Sequence, residues 1–359
     1  MSKSLWNWID PIDMIEKYST DALRLTVSIW NTPWNDLKFD EENVEHNKIF
    51  INKLWNASRF VYTNLFEKGD YKIDKYDVLE KRLKDNYDNL MFHEKWILSE
   101  LRNISDKLNK WMQDFNFSES WVDLYYFTKN LFCDYYIEEF KITQEVSKNW
   151  WDVIVYVLNN LLKLWHPFIP FVTEELWSKI WFDNRLINES YSKVWFTFDK
   201  NISKDKEIII EVIKEIRAIR ADNNIMPNKT IKIKLKPKAS KKDLFWEEVL
   251  LIISWIVKSE DTEIISSKII DDKLVYWVTK SWIEIYVDNS NAIDLEWEIT
   301  RLKEQINDTK EYINILDKKL LNESFVRNAP PQLVRAEMDK KAQALDKLKK
   351  VEEKLGKIL

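Results

Sequence analysis

Residues 41–68 read EENVEHNKIFINKLWNASRFVYTNLFEK, and this stretch decides the fold. Its apolar residues recur at the three- and four-residue intervals of a helix, for example at Ile49, Leu54, Phe60 and Val61. A stripe with this spacing predicts an amphipathic helix that buries one face against its neighbours. Three later segments repeat the pattern, so the sequence predicts a mainly α protein built around a helical bundle. The four segments are residues 41–68, 76–114, 119–141 and 149–180.

The periodicity changes after residue 223. TIKIKLK (230–236) alternates strictly between apolar residues and lysine, and WIEIYVD (282–288) alternates in the same way. A period of two predicts strands with one buried face and one wet face. We therefore expect residues 223–290 to form a small α+β unit.

Residues 291–359 carry two heptad patterns. They are separated by ESFVRNAPPQ, in which Pro330 and Pro331 cannot continue a helix. The pattern predicts a C-terminal antiparallel coiled-coil hairpin that projects as an arm. The first seam comprises Leu295, Ile299, Leu302, Ile306, Thr309, Ile313, Leu316 and Leu320, and the second comprises Val334, Met338, Leu345, Leu348, Leu355 and Leu359.

Composition excludes several classes of protein. No apolar run reaches the roughly 18 residues of a membrane span, and the N-terminus does not read as a signal peptide. Cys133 alone cannot form a disulfide framework, and His46, His93 and His166 share no metal-ligand spacing. We therefore expect a cytoplasmic protein without a metal site. The net charge of −5 argues against a uniformly basic nucleic-acid binder but leaves room for local basic patches.

Glycine and tryptophan are both anomalous. The chain has 2 glycines and 19 tryptophans, whereas average usage of about 7% predicts roughly 25 glycines. Many tryptophans stand where a chain turns, which is where glycine is useful. We predict that UGA codons encode glycine at Trp6, Trp8, Trp30, Trp34, Trp181 and Trp282. Three tryptophans that lie on apolar helical faces are predicted to be genuine, namely Trp55, Trp96 and Trp177. The alternative is a protein that is truly rich in tryptophan.

The chain opens MSKSLWN, which becomes MSKSLGN when position 6 is read as glycine. With IDPIDMIEKYSTDALR (9–24) behind it, this stretch resembles the KMSKS loop of the class I aminoacyl-tRNA synthetases. The resemblance implies that Met1, Ser2, Lys3 and Ser4 bind ATP with its Mg²⁺, and that Lys3 is catalytic. A mobile lysine that reaches the phosphates as the loop closes stabilises the departing pyrophosphate more in the transition state than in the ground state.

Within this class the chain is most similar to the valine-specific enzymes. WNTPWNDLKF (30–39) matches their GNTPGxDLKF stretch once two tryptophans are read as glycines. NKLWNASRFVY (52–62) and HPFIPFVTEELW (166–177) resemble their helical tRNA-binding domain, and the heptad hairpin looks like their C-terminal arm. The resemblance covers essentially the whole chain in order.

The resemblance implies four parts: the end of the catalytic domain (1–40), a helical anticodon-binding domain (41–222), the α+β unit (223–290) and a tRNA-binding arm (291–359). It implies a monomeric enzyme that activates valine with ATP and transfers it to tRNA(Val). The nucleotide-binding fold, its HIGH motif and the editing domain are not among these residues, so we expect this chain alone to be inactive. The alternative is a free-standing tRNA-binding module or the small subunit of a split synthetase. The gene sequence upstream would distinguish these from a fragment of a longer enzyme.

Three sets of residues are candidates for tRNA contact. Lys232, Lys234 and Lys236 project from one face of a strand, in a stretch with no acidic residue between positions 228 and 242. That stripe could bind phosphates, or it could be a solvated sheet edge that lysines protect against aggregation. Asn56 and Arg59 could contact tRNA, or they could cap and pair within the bundle.

The arm supplies the third set. Residues 294–323 carry five basic and eight acidic residues, whereas residues 327–357 carry nine basic and five acidic. The returning helix is therefore the better candidate for the RNA-facing side, led by Arg335, Lys340 and Lys341. Ordinary salt bridges along a coiled coil are the alternative interpretation.

Overall fold

The structure, a computed structural model, describes residues 9–29, 39–67, 75–143, 150–180, 184–271, 274–288, 295–321 and 331–358. The chain forms two compact units. The first unit comprises Met1–Ile213 and Asp243–Ile256, and the second comprises Lys214–Lys242 and Val257–Leu359. The four-part division predicted from the sequence stays a prediction.

The first unit is a bundle of helices. A π-helical segment, Phe127–Tyr136, joins α6 to α7 without a break. The helices are α1 (Pro11–Lys17), α2 (Thr20–Ile29), α3 (Glu41–Glu67), α4 (Tyr76–Asp85), α5 (Phe92–Gln113), α6 (Phe117–Tyr126), α7 (Ile137–Thr143), α8 (Trp150–Trp165), α9 (Pro170–Ile180), α10 (Lys200–Asp222) and α11 (Glu247–Val257). The last residues of α10 belong to the second unit.

Helix α8 lies at the centre of the bundle because it is apolar on nearly every side. It contacts α3, α4, α5 and α9, and Val153, Ile154 and Leu158 are fully buried. The predicted helix 149–180 ends as expected at its prolines, which divide it into α8 and α9. The sequence predicted one helical segment over residues 76–114. That prediction was wrong, because residues 86–91 separate α4 from α5.

Helix α3 confirms the segment at 41–68 but corrects one of its apolar positions. Leu54 and Val61 are buried, whereas Ile49 is 59% exposed. The buried stripe of α3 runs through Val44 and Phe50 instead. Phe50 and Ile51 take the core-facing positions of this turn, so Ile49 faces solvent.

The second unit holds a four-stranded mixed sheet of strand order β2-β1-β4-β3. Strand β1 pairs with β2 in parallel and with β4 in antiparallel, and β3 pairs with β4 in antiparallel. The predicted strand 230–236 is confirmed as β1, with Ile231, Ile233 and Leu235 buried. The strands are β1 (Ile231–Lys236), β2 (Ser259–Ile264), β3 (Val275–Val278) and β4 (Glu284–Asp288). The mainly α fold class with a small sheet is confirmed.

The turn between β3 and β4 bears on the tryptophan anomaly. Trp282 has a φ of 62° and is 64% exposed. Its backbone N–H donates to the Thr279 carbonyl at 3.0 Å, and the Thr279 N–H donates to the Ile283 carbonyl at 3.0 Å. A turn closed by a left-handed residue is a common hairpin connection in which that residue is usually glycine. This geometry is one that glycine adopts more readily than tryptophan, and the recoding at position 282 stays a prediction.

The other tryptophans differ in burial. Trp96 and Trp177, predicted to be genuine, are 2% and 3% exposed in the first unit, and Trp55 is half-buried on α3. Trp6, Trp8, Trp30, Trp34 and Trp181 lie outside the described residues.

The arm consists of α12 (Leu295–Leu321) and α13 (Pro331–Ile358). The two helices are antiparallel, because Lys310 pairs with Glu352 at one end and Lys319 pairs with Glu337 at the other. The predicted seam of α12 is confirmed where side chains are described, with Ile306, Thr309 and Leu316 buried and Ile313 and Leu320 half-buried.

The predicted seam of α13 is confirmed at Val334 and Leu348, which are half-buried, but was wrong at Met338 and Leu345. Met338 and Leu345 are 53% and 46% exposed, and Glu337 and Ala344 are buried in their place. The long side chain of Glu337 lies in the seam because its carboxylate reaches Lys319 across the arm at 3.3 Å. An ion pair between the helices therefore accompanies a charged residue at this seam position.

Candidate nucleic-acid interface

The predicted ATP-binding residues Met1, Ser2, Lys3 and Ser4 lie outside the described residues. The segment behind them is anchored to the bundle. Asp21 on α2 is 4% exposed and accepts hydrogen bonds from the backbone N–H groups of Val172 (2.7 Å) and Phe171 (3.3 Å) at the start of α9. Burial raises the pKa of the Asp21 carboxyl, while these two N–H groups oppose the rise. The DALR and HPFIP stretches are thus joined by a helix cap.

Asn56 and Arg59 both lie on the exposed side of α3, one turn apart. Ala57 and Ser58, between them, are buried in the bundle. Neither Asn56 nor Arg59 has a side-chain hydrogen bond or ion pair within the described part of the chain. This arrangement leaves both side chains available to a ligand, and their contact with tRNA stays a prediction.

The lysines of β1 share one face of the sheet, as predicted, but β1 lies between β2 and β4 and is not an edge strand. Lys236 is 2.5 Å from Glu284 and Lys234 is 3.8 Å from Glu263. Lys232 lies in register between Asp261 and Asp288. Hydrogen bonds from Lys236 and Tyr286 lower the pKa of Glu284, which keeps that carboxylate charged. Carboxylates from the neighbouring strands therefore offset much of the charge that phosphates would meet.

The basic residues of α13 have different surroundings. Arg335 is exposed and has no ion pair among the described residues. Lys340 is 53% exposed and lies 3.0 Å from Glu337 on the same helix. Lys341 is half-buried and lies 2.5 Å from Asp317 of α12. All three residues lie on α13. Lys341 forms an ion pair between the two helices, whereas Arg335 and Lys340 face solvent.

Sequence reasoning missed part of the arm surface. Tyr312 of α12 and Lys347 of α13 line a depression beside Thr309 and Ala344. In the first seam, Thr309 is the one polar residue. A small residue such as Thr309 among larger seam residues is a signal for a groove. The groove was missed because Ala344, which also lines it, did not belong to the predicted second seam.

The buried charges of the bundle are structural. Lys206 and Glu139 are 1% and 0% exposed and pair with each other, and Lys206 Nζ lies 4.5 Å from the centre of the Trp96 ring. Buried His93 bridges Glu248 and Thr143 at 3.0 Å each. These groups connect helices of the bundle to one another. No helix in the described ranges is long and apolar enough to cross a membrane.

Three family models match the chain in order. Residues 1–40 match "tRNA synthetases class I (I, L, M and V)", and residues 94–235 match "Anticodon-binding domain of tRNA ligase". Residues 294–359 match "Valyl tRNA synthetase tRNA binding arm". The last match covers both helices of the arm.

Similar curated proteins share the name valine–tRNA ligase. The protein of Listeria innocua is 35% identical over 373 residues, which cover 98% of this chain and 40% of the relative. The protein of Enterococcus faecalis is 33% identical over 365 residues, covering 100% of this chain and 40% of the relative. That of Fervidobacterium nodosum is 32% identical over 359 residues, covering 98% and 39%.

The chain therefore spans about 40% of the length of the curated relatives it matches. Within that span the similarity is continuous, and it includes an arm that the family description assigns to the valine-specific enzymes. This chain belongs to the valyl-tRNA synthetase family.

Proposed function

We propose that this chain supplies the tRNA-binding part and the ATP-closing loop of a valine–tRNA ligase. The enzyme activates valine with MgATP and transfers it to tRNA(Val). One observation carries the proposal: the antiparallel arm α12–α13 coincides with the match to a tRNA-binding arm and presents exposed cations on the returning helix. We further propose that the enzyme is a cytoplasmic monomer.

In the activation step, the valine carboxylate attacks the α-phosphorus of ATP and pyrophosphate leaves. The ammonium of Lys3 would offset the charge that develops on the departing phosphates, and the hydroxyls of Ser2 and Ser4 would hydrogen-bond to them. Because Asp21 caps α9, the helix that follows this loop is held by the bundle. The bundle would thus hold the helix behind the ATP-binding residues in place.

The remaining affinity for tRNA would come mainly from exposed cations of the arm. Arg335 on the arm, which has no ion pair among the described residues, is better placed for phosphate contact than Lys234 and Lys236, each of which lies beside a glutamate of a neighbouring strand. Lys340 is exposed but pairs with Glu337 of its own helix at 3.0 Å, so it would exchange that carboxylate for a phosphate. Asn56 and Arg59 are proposed as additional contacts from α3. The lysines of β1 would contribute less than the arm.

The test is the salt dependence of tRNA(Val) binding by the purified chain. Reversing Arg335, Lys340 and Lys341 to glutamate should lower the slope of log K against log salt by up to about three, close to one per lost phosphate contact. The control reverses Lys303, Lys310 and Lys318 on α12, which changes the net charge equally. An unchanged slope in the first variant, or an equal fall in the control, would contradict the proposed role of α13.

A further inference from the structure

The arm contains a groove where its two helices carry small side chains. Thr309 of α12 and Ala344 of α13 are each 7% exposed and lie side by side in the seam. Larger side chains fill the seam elsewhere, so the surface is depressed at this point. The groove measures about 480 Å³ and is lined by Gln305, Asp308, Thr309, Tyr312, Lys340, Gln343, Ala344 and Lys347. That volume lies within the range of sites for small molecules or single nucleotides.

The lining combines three kinds of group. Tyr312 contributes an aromatic ring that is 45% exposed. Gln305 and Gln343 contribute amides, and neither amide has a hydrogen-bond partner among the residues that the structure describes. Lys340 and Lys347 contribute two ammonium groups and Asp308 contributes a carboxylate, while Lys340 also pairs with Glu337 of its own helix at 3.0 Å.

These groups match the parts of an unpaired nucleotide. A base stacks on an exposed aromatic ring, amides hydrogen-bond to base edges, and ammonium groups attract phosphate. An acidic peptide would use the two lysines but would leave the ring and the amides without a function. Paired nucleotides would not present a base face to Tyr312, because their faces are covered by stacking.

We infer that this groove binds one unpaired nucleotide of the tRNA, with its base stacked on Tyr312. Gln305 and Gln343 lie at the base edge, and Lys340 and Lys347 lie at the flanking phosphates. The inference rests on the proposed function and adds to it a stacking site that basic residues alone would not create. It also predicts a contribution to affinity that salt does not screen.

The experiment measures binding of the full 359-residue chain to a tRNA(Val) transcript across a salt series. Tyr312→Ala should weaken binding between about fivefold and a hundredfold, the range expected for loss of one stacked base. Its salt slope should equal that of the unsubstituted chain, since no phosphate contact is lost. Lys347→Gln should instead lower the slope by about one.

Two controls separate stacking from damage to the arm. Tyr312→Phe keeps the ring and should bind within about twofold of the unsubstituted chain, in line with stacking on a ring face. Ile315→Ala, at an exposed position that does not line the groove, should bind unchanged. Circular dichroism should show equal helix content in all variants, because Tyr312 is about half exposed.

A blunt-ended RNA duplex without unpaired nucleotides completes the test. Binding to this duplex should not respond to Tyr312→Ala. The inference is overturned if Tyr312→Ala binds tRNA as tightly as the unsubstituted chain, or if it loses equal affinity for duplex. If the unsubstituted chain does not bind tRNA at all, the proposed function fails, and the inference fails with it.

Discussion

The bundle of the first unit and the arm of the second unit differ in how far their ion pairs are exposed to solvent. In the bundle, Lys206 and Glu139 are 1% and 0% exposed and pair in the core. In the arm, Lys310 and Glu352 pair across the two helices while 56% and 47% exposed. The first pair is removed from water, and the second is largely screened by it.

Buried and exposed ion pairs have different consequences for the helices that carry them. A buried ion pair tolerates few arrangements, because each charge needs its partner in place. Burial lowers the pKa of the Lys206 ammonium, an effect that Glu139 opposes, so the pair holds its helices in one geometry. Exposed pairs can dissociate when a stronger partner arrives, and phosphate is such a partner. This contrast agrees with the proposal that the bundle fixes the position of its helices and that the arm binds tRNA.

The largest expected effect is on the buried pair. Glu139→Ala leaves Lys206 as an unpaired charge in the core, which should lower the free energy of unfolding by about 3–5 kcal/mol. Urea denaturation followed by circular dichroism measures the change. The double variant Glu139→Leu with Lys206→Met should recover most of the loss, because no unpaired charge remains. If the single and double variants are equally destabilised, packing rather than charge explains the loss.

A stabilising effect of about 1 kcal/mol is expected for Trp282→Gly in the sheet of the second unit, since glycine adopts the left-handed backbone freely. Thermal unfolding measures it. The control is Trp96→Gly in the bundle, which should destabilise by about 3–5 kcal/mol because it empties a core position. Peptide mass spectrometry of the native protein should show glycine at position 282 and tryptophan at position 96. Destabilisation by Trp282→Gly would contradict the recoding hypothesis at this turn.

The smallest effect is expected in the arm. Lys310→Ala removes an exposed pair and should change the free energy of unfolding by less than about 1 kcal/mol. The same urea titration compares it with Glu139→Ala. A loss as large as that of the bundle variant would erase the contrast between the two regions.

The sequence predicted elements better than it predicted their partners. Strand β1 follows from the alternation of Ile231, Ile233 and Leu235 with lysines, which is a local pattern. The carboxylate that pairs with Lys236 is on Glu284, 48 residues along the chain. A charge brought alongside by strand pairing has no local signal, so the electrostatics of that face could not be inferred.

The two helices of the arm show the same limit. The seam of α12 could be predicted because Ile306 and Leu316 follow the heptad spacing without competition. On α13, the apolar pattern pointed to Met338 and Leu345, but Glu337 lies in the seam through its ion pair with Lys319. The spacing of apolar residues carries no information about an ion pair between the two helices. The groove beside Ala344 was missed because Ala344 did not belong to the predicted seam.

The central claim is that the arm rather than the lysine face of the sheet meets the RNA. Lysine acetylation footprinting with mass spectrometry tests it at single residues, in the presence and absence of tRNA(Val). Lys340 and Lys347 should lose reactivity when tRNA is added, while Lys232, Lys234 and Lys236 should keep theirs. Protection of the three β1 lysines, with Lys340 and Lys347 unchanged, would contradict the account.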